Sequence, residues 1–407
     1  MSRSRNTLFA VITILLGLLT IELITQGAFY FFGRYGEWGY RKYDYAHRPY
    51  IGVAYHPSKD GRDRYGFTLD SNDNAQRDLT HKGACEFRVF MLGGSTVIGR
   101  FLDSIDETLP ARLERLLNKQ TPSGIVYQVI NAGKGGYISV QSLLQHAFYI
   151  KYSLQPDYVV HFDGSNDSVG HPIVWPEGKY LGIRDNLHRY SENVYSNINN
   201  MTEFKGLLNT LLMNLTNYSA FMFALHKTIN DPESWTRLVL DKDVLKDDQI
   251  GMTEWVERHV NRYIYNVNLA TRLGDRNTGV AYFFQPTMLL SMEKWLTPRE
   301  RDFLSPDDYA TEFHGYPKRD AKELYYSRVR KEFEKLIANN ESEFTTIVDL
   351  SRLFDNKSPD EAYFGDYVHY LPPGRTIIAK EIANIILPII QKKIRNNPDF
   401  DQCVVES

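Results

Sequence analysis

The strongest constraint on the fold lies between residues 86 and 393, where short apolar runs of strand length alternate with stretches of helical period. Residues 86–92, 125–130, 157–162, 279–285 and 345–350 are rich in Val, Ile, Phe and Tyr, and turn residues follow the first four of them. Between them, apolar residues recur at helical spacing at Leu109, Leu113, Leu116 and Leu117, and again at Val256, Val260, Tyr263, Ile264 and Val267. A second helix is expected over 140–152. A last one should start near Pro373 and stop near Pro388 or shortly after, because proline breaks the hydrogen-bond ladder. Five strands joined by helical crossovers imply a mainly parallel sheet between two helical layers. In such sheets chemistry gathers at the carboxyl ends of the strands.

The flanking segments are of another kind. Arg3 and Arg5 precede an apolar run over residues 8–32 that is interrupted by a single charge, Glu22. The run is long enough for a hydrocarbon core of roughly 30 Å, and Glu22 near its middle would cost about 2.5–3.5 kcal/mol. It is therefore expected to be an uncleaved transmembrane anchor, the alternative being a cleaved signal peptide. The expected division is a tip and anchor over 1–33, a juxtamembrane collar over 34–85, a catalytic domain over 86–393 and a tail over 394–407. The catalytic domain carries a helical insertion at about 171–277. Within the insertion, residues 204–225 are apolar, but Asn209, Asn214 and Asn217 make a buried or lid helix a better reading than a second span. A short tail followed by a large domain points to a single-pass membrane protein whose catalytic part is extracytoplasmic, periplasmic or at the cell surface. The net charge of −3 offers no reason to expect nucleic acid. Cys85 and Cys403 are the only cysteines, too few for a zinc site; they form one bridge or stay two separate thiols.

Four polar motifs occupy the turns and the segment before the last helix. Gly93-Gly94-Ser95-Thr96 follows the first strand. Glycines there allow a sharp turn that presents the Ser95 hydroxyl beside backbone N–H groups, the setting of a serine nucleophile, and also that of a helix N-cap. The loop has no lysine at the phosphate-binding position and is not a Gly-x-Ser-x-Gly elbow. Asn131-Ala-Gly-Lys-Gly-Gly136 follows the second strand and is either a turn or a close backbone approach to an acyl oxygen. Asp163-Gly-Ser-Asn-Asp167 follows the third, where the Asn166 amide is a backbone cap or an oxyanion donor. Asp366-Tyr-Val-His369 precedes the last helix. Its carboxylate can fix the imidazole tautomer and leave the other nitrogen free as a base. Metal binding is the competing use of that pair, and no His or Cys cluster accompanies it. Gln285, at the end of the fourth strand, is a candidate substrate contact or a plain turn residue.

The four motifs in this order resemble the SGNH hydrolase superfamily, the GDSL-like esterases and lipases, in the form of a membrane-anchored bacterial-type member. The resemblance runs over about residues 86–393. It implies a three-layer α/β/α fold with a five-stranded, mainly parallel, flavodoxin-like sheet. It implies Ser95 as nucleophile, His369 as base and Asp366 as its support, with an oxyanion hole of the Ser95 and Gly136 N–H groups and the Asn166 side chain. No cofactor or metal is implied. The serine block departs from Gly-Asp-Ser-Leu, with Gly94 in place of Asp and Thr96 in place of Leu. The expected activity is hydrolysis of an ester-linked acyl group on an envelope glycan or a lipid. The alternatives are O-acyl transfer through the same acyl-enzyme, and a catalytically silent scaffold or glycan-binding module on the same fold.

Overall fold

The computed structural model describes residues 2–31, 45–48, 52–55, 62–69, 78–99, 101–102, 104–120, 124–168, 219, 221–222, 224–225, 251–288, 296–302, 312–313, 316–355, 357–358 and 360–403. The chain divides into two compact units. Met1–His56 with Asp185–Lys246 form one, and Pro57–Arg184 with Asp247–Ser407 the other.

In the first unit, helix α1 runs over Ser2–Phe31, and β1 (Tyr45–Arg48) pairs antiparallel with β2 (Gly52–Tyr55). Side chains in α1 are described from Ile12 to Ala28, and Ile14, Leu15, Leu16, Leu19, Leu23 and Ile24 are exposed. Glu22 accepts hydrogen bonds from Ser219 Oγ at 2.6 Å and Phe221 N at 3.2 Å. Among the described residues, no helix is long and apolar enough to cross a membrane. Most of the expected insertion helix at 204–225 lies outside the described residues.

The second unit is built on the anticipated sheet: β3 (Glu86–Gly93), β4 (Val126–Asn131), β5 (Tyr158–Asp163), β6 (Gly279–Phe284) and, after the short antiparallel pair β7 (Glu312–Phe313) and β8 (Tyr316–Pro317), β9 (Thr345–Asp349). All four neighbouring pairs are parallel, in the order β4-β3-β5-β6-β9. Counted within the sheet this is the doubly wound order 2-1-3-4-5, whose connections reverse direction between β3 and β5 and open a crevice at their carboxyl ends.

Each layer follows from strand alternation. In β3, Phe87, Val89 and Met91 meet Leu109, Leu113 and Leu117 of α3 (Leu109–Gln120) and Ile378, Ile382, Ile386 and Ile390 of the C-terminal helix, after the short α2 (Ser95–Ile98). Phe90 and Leu92 point to the opposite face. Beneath β6 on that face, Tyr282 and Phe284 pack on α5 (Met252–Thr271) and α7 (Lys318–Ala338); α4 (Ser139–Gln145) and α6 (Pro298–Asp302) lie between these in sequence. The helices are thus on both faces.

Two expectations need correction. The helix expected over 140–152 ends at Gln145 and gives way to a π-turn at His146–Ile150. The last helix, α8 (Pro372–Arg395), passes through Pro388 instead of stopping near it. The proline forfeits one hydrogen bond, and burial of Ile386, Leu387, Ile390 and Ile394 on both sides holds the helix together. Within residues 394–407, Pro398–Cys403 forms a short 3₁₀ turn, and Cys403 is joined to Cys85 by a disulfide, one of the two expected alternatives.

Candidate active site

Ser95 opens α2 at the carboxyl end of β3. Gly93 makes the turn possible, since its φ of +151° suits glycine and a Cβ there would lie 2.3 Å from Phe162 O. The Ser95 N–H, at the first helical position, has no carbonyl to bond within the helix.

His369 and Asp366 come from the loop between β9 and α8. Gly365 N–H donates to His369 O at 2.8 Å and Leu371 N–H to Tyr363 O at 2.8 Å, which closes the loop on itself. Tyr370 Oη donates to Pro286 O at 2.5 Å. The fully buried Glu300 on α6 ties the loop to the body of the unit: Oε1 accepts from Tyr363 N at 2.9 Å and Phe364 N at 3.3 Å, and Oε2 accepts from Thr297 N and Oγ1, both at 3.0 Å.

The loop delivers a hydrogen-bonded relay. Asp366 Oδ2 lies 2.7 Å from His369 Nδ1, and His369 Nε2 lies 2.7 Å from Ser95 Oγ. A carboxylate can only accept, so Nδ1 carries the proton and donates to Asp366, and the Ser95 hydroxyl donates to Nε2. Asp366 Oδ1 also accepts from the Val368 and His369 amides at 2.9 and 2.8 Å. Burial pushes this carboxyl up, but His369 and the two amides outweigh it and hold it below the ordinary value. Asp366 is therefore ionised at neutral pH and suited to support an imidazolium.

The glycine block and Asn166 converge on the same turn. A Cβ on Gly133 would lie 2.8 Å from Val97 Cβ, and one on Gly94 would lie 2.5 Å from Asn166 Nδ2 and 3.3 Å from Tyr137 O. Asn166 Nδ2 donates to Tyr137 O at 2.8 Å, which orients the amide and leaves its second hydrogen for another acceptor. Gly136 sits at φ +71°, and its N–H makes no hydrogen bond among the described residues.

Behind Asn166 lies a buried brace. Asp167 Oδ1 accepts from Ser139 Oγ at 2.5 Å and from Ser139 N at 3.1 Å, and Ser139 Oγ accepts from Asn266 Nδ2 at 2.9 Å. Burial raises the Asp167 carboxyl to about 6 against the pull of Ser139. Burial and the neighbouring Asp167 raise Asp163 well above the ordinary range.

Gln285 is placed otherwise than expected for a substrate contact. It is only 3% exposed, and its Oε1 accepts from Thr96 Oγ1 at 2.9 Å. Its side chain ties β6 to the serine turn from behind. The places of Glu300 and Phe101 beside the site are not legible in the local sequence. Glu300 sits in Pro-Arg-Glu-Arg-Asp, where charge suggests a solvated face, and only its place two residues after proline in a helix's first turn hinted at capping. Phe101 rises beside the site with its ring centroid 5.9 Å from that of His369. Among the described residues, no group of three or more His, Cys, Asp or Glu is arranged to hold a metal ion.

No family model matches the chain, and no curated protein matches it. Among solved structures, the chain is similar to a lipase/acylhydrolase from Enterococcus faecalis, at 13% identity over 77% of this chain and 98% of that one, with a TM-score of 0.37. It is similar to a mutant of an acetyl-xylooligosaccharide esterase from Geobacillus Stearmophilus, at 13% identity over 74% and 94% and a TM-score of 0.36. A member of the lipolytic protein G-D-S-L family from Veillonella parvula shares 9% identity over 74% and 98%, with a TM-score of 0.37. A likeness this distant carries no weight for the chemistry, which rests on the distances above.

Proposed function

We propose that the chain is a serine hydrolase of carboxylic esters that removes an ester-linked acyl group from an envelope glycan or lipid. The observation that carries this reading is the continuous relay from Ser95 Oγ through His369 to Asp366, with 2.7 Å at each step. His369 Nε2 takes the Ser95 proton as Oγ attacks the acyl carbon, and the carbonyl π-bond pair moves onto its oxygen. The Ser95 and Gly136 N–H groups and the Asn166 amide receive that oxyanion. As the carbonyl re-forms, the ester C–O bond breaks, and His369 passes its proton to the departing alcohol. Water then adds to the acyl-enzyme with His369 as base, and the acid and free Ser95 are released. Asp366, ionised throughout, supports the imidazolium in both halves.

The extracytoplasmic setting and the anchor over residues 8–32 belong to the same proposal. The disulfide supports an oxidising compartment, and the exposed apolar residues of α1 support attachment to a bilayer. A fluorophosphonate probe should label the folded full-length protein and spare Ser95→Ala. Equal labelling of the two proteins, or none of the wild type, would exclude the reading. Product analysis with and without a glycan acceptor separates hydrolysis from acyl transfer.

A further inference from the structure

Phe101 has three properties that the relay itself does not account for. Its backbone sits at φ +59°, in the left-handed region that a bulky side chain rarely adopts. The residue is 46% exposed, so burial offsets little of that strain. The ring stands edge-on to the imidazole of His369, with 79° between the planes and 5.9 Å between centroids. The loop that carries His369 makes room for it: a Cβ on Gly365 would lie 2.7 Å from Phe101 Cδ2. Strained backbone holding an apolar ring half in solvent, against the base of a relay, marks a surface meant to be covered by a bound molecule.

The position says which part of the molecule. Nε2 of His369 must reach the oxygen of the departing alcohol to protonate it, so whatever hangs from that oxygen passes close to the imidazole, whose ring centroid is 5.9 Å from that of Phe101. A phenyl ring has no donor or acceptor and can choose only by flat apolar contact. A pyranose presents such a face in its axial C–H groups, whereas ethanol covers little of a ring. We propose that Phe101 forms the wall of the alcohol subsite and selects esters whose alcohol is a pyranose. The inference rests on the ester-hydrolase reading and narrows its substrate to an acylated sugar.

The test uses the full chain and three acetyl esters: an acetylated methyl pyranoside, ethyl acetate and octyl acetate, each followed by acetate release. Phe101→Ala and Phe101→Gly should lower the ratio of kcat/KM for the pyranoside to that for ethyl acetate by about tenfold, chiefly through KM. Phe101→Trp should keep the ratio. The glycine variant relaxes the left-handed backbone, so agreement between it and alanine attributes the effect to the ring. An unchanged ratio, an equal loss on all three esters, or a loss confined to octyl acetate overturns the inference. If fluorophosphonate still labels Ser95 in those cases, the hydrolase reading stands alone; if the wild type is not labelled, both fall.

Discussion

Gly94 lies against Asn166, and the lack of a side chain at this position makes room for the amide. Gly94 has φ −82° and ψ −153°, an extended conformation open to any residue, so Gly94→Ala adds no backbone strain. Its new Cβ, however, would lie 2.5 Å from Asn166 Nδ2. Ordinary contact begins near 3.4 Å, so the amide must retreat by roughly 1 Å, enough to break a hydrogen bond that has to be near 2.9 Å. Asn166 is only partly buried and can swing aside, so the loss of folding stability should stay below about 1 kcal/mol. Turnover should instead fall by about 10²–10³, the usual consequence of losing one oxyanion donor, or ~2.7–4 kcal/mol of barrier. Steady-state kinetics on an activated acetate ester, with thermal melts as the folding control, would measure both. In a double-mutant cycle, Gly94→Ala should add nothing to Asn166→Ala, because both remove the same donor. Full kcat in Gly94→Ala beside a crippled Asn166→Ala, or additive losses, would refute the reasoning.

Three further outcomes are expected. Burial holds Asp167 at about 6 in the folded chain against an ordinary 3.8; the folded chain therefore binds the extra proton, and stability falls as pH rises through that window, by up to about 3 kcal/mol. Urea titrations at pH 4 and 7 should show this fall in the wild type and a smaller one in Asp167→Asn, where the raised Asp163 carboxyl remains. Glu300→Gln puts an NH₂ group where one oxygen accepts two N–H donors, and should cost about 1–3 kcal/mol in denaturant unfolding; an unchanged midpoint would remove the loop from its dependence on Glu300. Cys403→Ser opens a loop spanning 318 positions, for which chain entropy alone assigns about 5.7 kcal/mol and measured bridges usually deliver about 2–5. A melting temperature indifferent to reductant would contradict the bridge.

The strands were legible because both faces of the sheet are covered, so each strand is a nearly unbroken apolar run between turn residues. The relay was legible for a related reason: each polar group follows a strand or precedes the last helix, where a local motif is visible without knowledge of distant neighbours. Helix α7 is hidden in the sequence, although Ala321, Tyr325, Tyr326, Val329 and Phe333 are buried at helical spacing. Tyrosine buries its ring and shows a hydroxyl, so a stripe that depends on it among Lys, Arg and Glu does not look apolar. The π-turn at His146 and the passage of α8 through Pro388 reflect packing that local propensity does not report. The roles of Glu300, Gln285 and Phe101 depend on partners 63, 189 and 268 positions away in the chain. No spacing rule reaches so far.

The bridge between Cys85 and Cys403 has a consequence for how the protein would respond to proteases. It closes the chain into a covalent ring, and Ser95, Asn166, Asp366 and His369 all lie on that ring, while α1 lies outside it. A cut within the ring leaves two pieces still joined through sulfur, which would migrate together on a gel until a reductant separates them. A cut before Cys85 would instead leave every member of the relay on one continuous piece, no longer joined to α1 through the backbone.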